Sequence, residues 1–223
     1  MRRFQVHRYQ KLKGALLVTL VLLVTVAKAN AHPHVWIDLR TKPLMTEQGD
    51  LLGLEQAWRF DPFYSLVLIE ELEKGGDATE LEERYDQLAW EMVKNLNSVN
   101  FFTQGKVGLT ASEWNSVTEA TLMKIGQRLE LRFRLPLAKS LPLNDTSFSY
   151  QIYDPSYYIE MLHATDSGLN TSALNAACQL QLKSASPSSE LIQKALALDK
   201  TEVSEDPQLG MYFAEKVTLN CSL

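Results

Sequence analysis

Apolar and polar residues alternate in many short segments of the chain, with the two-residue period of a β-strand. The runs at 33–39 and 52–60 flank a turn at Gln48-Gly49-Asp50 and predict a hairpin. After residue 100 the strand-like runs are separated by Gly, Pro, Asn and Asp. These later predicted strands lie at 101–109, 113–122, 128–135, 147–153, 157–163, 177–183 and 211–221.

The periodicity becomes helical between the hairpin and the later strands. Asp61-Pro62 is typical of a helix start, with a capping carboxylate followed by proline, and Gly75-Gly76 ends that helix. A second helix begins at Asp77, and its apolar residues recur at three- and four-residue spacing. A short helix is also predicted after Ser186-Pro187. The first two helices predict one insertion at about 62–97.

Together these patterns predict an α+β fold, built mainly from an antiparallel β-sheet or sandwich with an inserted helical hairpin. The chain shows no internal repeat, low-complexity tract or domain linker. We therefore expect one domain over residues 32–223 with its helical insertion at about 62–97.

The first 31 residues have the order of a signal peptide. Basic residues are followed by an apolar run from Gly14 to Ala27 and by the small-residue sequence Ala29-Asn30-Ala31. The apolar run is shorter than the roughly 18 to 20 residues that cross a bilayer as a helix. We expect cleavage after Ala31, export to the periplasm, and no stable membrane anchor after cleavage.

Removal of this leader changes the charge of the protein. Residues 1–31 contain six of the 22 Lys and Arg and none of the 27 Asp and Glu, so the net charge goes from −5 to −11. This acidity argues against nucleic acid as a partner.

Cys178 and Cys221 are the two cysteines of the chain. An exported protein folds where disulfides form, so we expect these residues to be paired. The alternative is a pair of thiolate metal ligands, which no further Cys or nearby His supports.

The segment with the clearest potential for chemistry is His32-Pro33-His34. After cleavage, the α-amino group and imidazole Nδ1 of His32 could chelate one metal ion, and His34 on the same strand face could add a third nitrogen. Three nitrogens suit copper, and imidazole also suits zinc, nickel and cobalt. Pro33 has no amide hydrogen, which excludes a square-planar mode that uses that amide. A disordered terminus without a ligand is the alternative interpretation.

Three carboxylates are further candidate metal ligands. Asp38 lies along the same strand face as His34, and Asp61 and Asp154 belong to two similar Asp-Pro elements. Asp61 and Asp154 also suit a structural role at the start of a helix or turn, which is the favoured interpretation. His163 is more typical of a hydrogen-bonded surface histidine than of a ligand.

The sequence carries none of the common catalytic motifs. Gly-x-Ser-x-Gly, His-Glu-x-x-His, phosphate-binding glycine loops and Cys-x-x-Cys are all absent. We therefore predict that the protein is not an enzyme. A copper oxidase with a terminal histidine is the enzymatic alternative.

Three motifs resemble those of a bacterial periplasmic family, domain of unknown function 1007. They are His32-Pro33-His34-Val35-Trp36-Ile37-Asp38, Trp58-Arg59-Phe60-Asp61-Pro62 and Tyr153-Asp154-Pro155-Ser156-Tyr157-Tyr158-Ile159-Glu160-Met161. The resemblance implies a periplasmic component of an uncharacterised ABC-type or nickel/cobalt-type transport system. Some members carry a calcium-loop-like segment between the inserted helices. Residues 73–80 lack the alternating oxygen ligands of such a loop, so no calcium site is expected.

The sequence and the resemblance together predict a periplasmic accessory protein. It would bind a transition-metal ion through its mature N-terminal His-Pro-His and exchange it with an inner-membrane metal permease or ABC-type transporter. The alternative is a metal-free periplasmic interaction module that recruits a transporter partner.

Overall fold

The computed structural model describes residues 33–143, 146–198 and 204–221. These residues belong to one compact unit. The predicted signal peptide and His32 lie outside the described residues.

Ten strands form in the described part of the chain. In order they are β1 (Val35–Met45), β2 (Leu51–Phe60), β3 (Thr103–Val107), β4 (Thr110–Ala111), β5 (Ala120–Ile125), β6 (Arg128–Leu141), β7 (Phe148–Ile152), β8 (Ile159–His163), β9 (Cys178–Lys183) and β10 (Lys216–Cys221). They make two five-stranded sheets. Sheet A has the order β5-β6-β2-β1-β8, and sheet B has the order β4-β3-β7-β10-β9.

Pairing within the sheets is antiparallel except between β1 and β8, which are parallel. Parallel neighbours need a long crossover, and here most of the chain lies between the two strands. The class is therefore α+β with mainly antiparallel sheets, as the sequence predicts. The long excursion brings the 153–163 segment beside the first strand, where His34 lies.

The inner faces of both sheets contribute to one hydrophobic core. Alternation is visible along β1, where Ile37 and Leu39 are buried while Asp38 and Arg40 face outward. Polar side chains link the sheets inside this core: Thr41 Oγ1 lies 2.6 Å from Tyr150 Oη, and Gln56 Nε2 donates to Thr103 Oγ1 at 3.0 Å. The largest fully buried side chains are Trp58, Tyr150, Phe101, Phe148, Leu39, Leu51, Leu54, Leu129, Leu131, Leu135, Ile152 and Leu209.

Three helices accompany the sheets in the described residues: α1 (Pro62–Lys74), α2 (Leu81–Asn97) and α3 (Ser189–Ala197). The first two lie between β2 and β3, as the capping residue and the helical periodicity of the sequence predict. α1 packs against β6 and α2 against β5. Among the described residues, no helix combines the length and apolar character needed to cross a membrane.

The disulfide between Cys178 and Cys221 is confirmed. The two residues face each other in the register of β9 and β10, the last pair of strands in sheet B. Their sequence separation is 43 residues. Closing a loop of that length stabilises the folded chain by about 4 kcal/mol, mainly by restricting the unfolded state.

Two predicted strands differ from the structure. The strand predicted at 113–122 is irregular over most of that range, and β5 begins only at Ala120. Here the backbone makes an isolated bridge with β6, between Trp114 and Leu137, while the Trp114 indole N–H donates to the Thr103 carbonyl of sheet B at 3.0 Å. The strand predicted at 211–221 begins at Lys216, after a short 3₁₀ turn over Leu209–Phe213.

Candidate functional site

His34 lies at the entrance to β1 and is held by Tyr158. The backbone N–H of His34 donates to the Tyr158 carbonyl at 2.9 Å. The two rings are also in contact, with centroids 4.7 Å apart and planes inclined by 36°. Because the parallel pairing of β1 with β8 begins at the next residue, His34 has a fixed place at the N-terminal end of β1, beside the edge strand β8.

Asp154 organises the loop that carries Tyr158. Its buried carboxylate accepts backbone N–H bonds from Ser156 at 2.9 Å and from Tyr158 and Ile159 at 3.1 Å, and the Ser156 hydroxyl lies 2.8 Å from each oxygen. Gly210 packs so closely against the Asp154 carbonyl that a Cβ there would overlap it. These bonds give Asp154 the structural role favoured from the sequence.

Asp61 has a comparable role on the other side of β1. Its Oδ1 accepts N–H bonds from Phe63 and Tyr64, both at 2.9 Å, which caps α1. Its own backbone N–H donates to the Trp36 carbonyl at 2.9 Å. The two Asp-Pro elements therefore flank the start of β1, and each carboxylate is bonded to backbone amides of its own loop or helix.

Asp38 is engaged by Arg128. The guanidinium donates to the Asp38 carboxylate at 2.7 Å and also bonds the carbonyls of Arg59 and Phe60. Four residues of extended strand separate Asp38 from His34, which is about 13 Å. A single metal ion cannot contact both side chains across that distance.

His163 is buried at the end of β8, where the sequence predicted a surface histidine; that prediction is wrong. Glu215 Oε2 accepts a bond from the His163 backbone N–H at 2.7 Å and lies 2.9 Å from ring Nδ1. Burial alone would raise the pKa of Glu215, but the hydrogen bonds and charge of His163 outweigh it and lower that pKa. In the register of β1 and β8, His163 lies opposite Leu39, about 16 Å along the strand from His34.

The structure thus brings His34 together with Tyr158 and the Asp154 loop, and separates it from Asp38 and His163. Within residues 33–143, 146–198 and 204–221, no group of three or more His, Cys, Asp or Glu side chains could hold a metal ion. His32, the second histidine of the predicted metal-binding segment, lies outside those ranges.

Comparison with known sequences identifies the family. The profile of a family described as "Protein of unknown function (DUF1007)" matches residues 17–221, nearly the whole chain. The chain belongs to the DUF1007 family. It is also similar to an uncharacterized protein of Haemophilus influenzae, with 30% identity over 197 residues that cover 86% of this chain and 91% of the relative.

One cluster in this DUF1007 protein was missed by the sequence analysis. The carboxylate of Glu130 is fully buried on the outer face of sheet A and bonds three arginines: Arg40 at 3.2 Å, Arg59 at 2.8 Å and Arg132 at 2.7 Å. We call these four residues the Glu130 cluster. The alternation of charged and apolar residues from Arg128 to Arg134 indicates that the charged side chains of this strand face outward. It does not indicate that arginines of three different strands bond one glutamate.

Proposed function

We propose that this DUF1007 protein is exported, is cleaved after Ala31, and binds a transition-metal ion through its new N-terminus. The ligands in this proposal are the α-amino group and imidazole Nδ1 of His32 and the imidazole of His34. The protein would act in the periplasm as an accessory to an inner-membrane metal permease or ABC-type transporter, with the metal as cargo.

The observation that carries the proposal is the fixed place of His34. Its backbone is bonded to Tyr158 and its ring packs on that residue, so this imidazole sits at the end of a paired strand. Holding one ligand rigidly reduces the conformational entropy that is lost when the metal binds. In the cleaved chain the terminal amine would be two residues from that ligand, which is close enough for both to reach one ion.

The chemistry of the donor set limits the cargo to a few metals. Amine and imidazole nitrogens bind copper, nickel, cobalt and zinc well and bind calcium and magnesium poorly. Asp38, Asp61 and Asp154 are left out of the ligand set because each is engaged in the structural bonds described above. The proposed site therefore consists of nitrogen donors.

Substitution of His34 tests whether its imidazole is a ligand. His34→Phe keeps a ring against Tyr158 and removes the coordinating nitrogen, whereas Tyr158→Phe keeps both the stack and the ligand. Calorimetric titration of copper(II), zinc, nickel and cobalt should show at least about tenfold weaker binding for His34→Phe, equal to about 1.4 kcal/mol. Tyr158→Phe should bind like the wild type. Unchanged affinity in His34→Phe would remove His34 from the site.

A metal-free interaction module is the second candidate function. Its support is two exposed apolar side chains on the outer face of sheet A, Trp36 of β1 at 48% and Leu162 of β8 at 37% exposed. In the register of the two strands they lie diagonally, since Trp36 pairs with Glu160 and Leu162 with Asp38. Exposed apolar side chains of this size can serve as contacts for a protein partner. Failure of the cleaved protein to bind any of the four metals more tightly than about 10 µM would favour this function.

A further inference from the structure

A pocket on the outer face of sheet A lies between arginines held by a buried carboxylate. The strand register places Arg40 of β1, Ala57 of β2 and Arg132 of β6 in one row across the sheet. The small methyl group of Ala57 leaves space between the two long side chains. This space is part of a pocket of about 260 Å³.

The Glu130 cluster fixes the arginines beside this pocket. The carboxylate is fully buried, and its two oxygens are shared among three guanidinium groups. One negative charge cannot neutralise three positive charges, so the cluster keeps a net positive charge. Arg132 remains about half exposed and has N–H groups beyond the two bonded to Glu130.

Lys42 adds a further cation to the same pocket. It faces Glu55 in the register of β1 and β2, and Glu55 also lines the pocket, but its carboxylate pairs with Arg134 at 3.3 Å. Within the described part of the chain, Lys42 has no ion pair at 4.0 Å or less. Its ammonium group is therefore available to a ligand.

Neutral donors complete the lining on the side of the loop after β8. Ser167 accepts a bond from Arg40 Nε at 2.9 Å, which positions both the hydroxyl and the guanidinium. Asn170 lies at the same side of the pocket. Arginine forks with hydroxyl and amide groups bind oxyanions through several directed hydrogen bonds.

We infer that this pocket binds a small anion with two or more oxyanion oxygens, of the phosphate or polycarboxylate type. The chain as a whole has a net charge of −5, which does not attract anions. The local excess of cationic side chains, held in place by the Glu130 cluster, would therefore attract the anion to this pocket. The pocket volume fits one such ion. This site is separate from the proposed metal ligands, because Arg40 is six residues of extended strand from His34, about 20 Å.

The test is calorimetric titration of sodium phosphate and sodium citrate into the purified protein. Wild type should bind at least one of them with a dissociation constant below about 1 mM. Lys42→Gln should weaken that binding by about tenfold, and a matched change in sheet B, the exposed Lys106→Gln, should leave it within about twofold. No binding of either anion by wild type, or equal weakening by both substitutions, would overturn the inference.

A second variant places a competing carboxylate in the pocket itself. Ala57→Glu puts a carboxylate between Arg40 and Arg132, so it should abolish binding of the free anion while keeping or raising the midpoint of thermal unfolding. Unchanged anion affinity in a folded Ala57→Glu protein would show that the anion binds elsewhere.

Sedimentation with vesicles of anionic and of zwitterionic lipid tests whether the ligand is a lipid headgroup and not a free ion. Binding to anionic vesicles without binding of phosphate or citrate would overturn the small-anion assignment.

Discussion

Glu215 holds both the backbone and the ring of His163. Its Oε2 accepts the backbone N–H at 2.7 Å and lies 2.9 Å from Nδ1 of the imidazole. A carboxylate can only accept, so the ring donates from Nδ1 in this pair. Because His163 ends β8 in sheet A and Glu215 immediately precedes β10 in sheet B, the pair joins the two sheets at one edge.

This pair predicts a specific loss of stability in acid. The pKa of Glu215 is lowered in the folded protein, so its contribution to the free energy of unfolding is present above the ordinary pKa of Glu and is lost as pH falls through the lowered value. Glu215→Gln should destabilise the protein at pH 6, and the difference from wild type should shrink toward pH 3. Urea unfolding at several pH values measures it, with the exposed Glu91→Gln as control. A pH-independent difference would contradict the prediction.

The Glu130 cluster predicts a large cost for losing one buried charge. Glu130→Gln leaves three arginines close together without their shared counter-ion, so the free energy of unfolding should fall by about 3 kcal/mol. Glu119→Gln is the matched control, because Glu119 is exposed and its pair with Arg134 at 2.9 Å should contribute at most about 1 kcal/mol. Denaturant unfolding of both variants gives the comparison. Equal losses would show that burial does not distinguish the two carboxylates.

The role of Asp61 as a helix cap can be separated from a role as metal ligand. Asp61→Ser retains a capping oxygen, whereas Asp61→Ala removes it and should lower the free energy of unfolding by about 1 kcal/mol. Neither substitution should change metal affinity, because the carboxylate is bonded to the amides of Phe63 and Tyr64. Thermal unfolding and metal titration of the two variants decide the matter. Weaker metal binding by both would make Asp61 a ligand.

The disulfide predicts that sheet B loses stability when its last strands are no longer linked. The double substitution Cys178→Ser and Cys221→Ser should lower the free energy of unfolding by about 4 kcal/mol, because the unfolded chain regains the entropy of a 43-residue separation. Denaturant unfolding measures the change, and reduced wild type should behave like the variant. A loss under about 1 kcal/mol would show that β9 and β10 hold together without the bond.

The features that the sequence predicts well have local causes. The β1–β2 hairpin follows from alternation around one turn, and the start of α1 follows from Asp61 with the proline after it. The pairing of the two cysteines needed only their number and the proposed compartment. In each case the residues that determine the feature are close together in the chain or, like the two cysteines, are the only ones of their type.

The features that the sequence did not predict depend on distant partners. The buried ring of His163 is paired with Glu215, which is 52 residues later. The Glu130 cluster needs the register of three strands, since Arg40 is 90 residues before the carboxylate it bonds. Alternation indicates that these side chains face outward, but it does not indicate which arginines meet one glutamate.

In the proposed function, the α-amino group created by cleavage is a metal ligand. Extending the mature chain by one alanine before His32 replaces that amine with a weakly coordinating amide and leaves both imidazoles in place. Copper(II) and nickel can displace the proton of this new amide and bind its nitrogen, so the comparison uses zinc and cobalt(II). Calorimetric titration of these two metals into the correctly cleaved protein and the extended form compares the affinities directly. Affinity should fall by at least about 100-fold on extension, about 2.7 kcal/mol, and should weaken in both forms as pH falls through the imidazole range. Equal affinities for the two forms would contradict the claim.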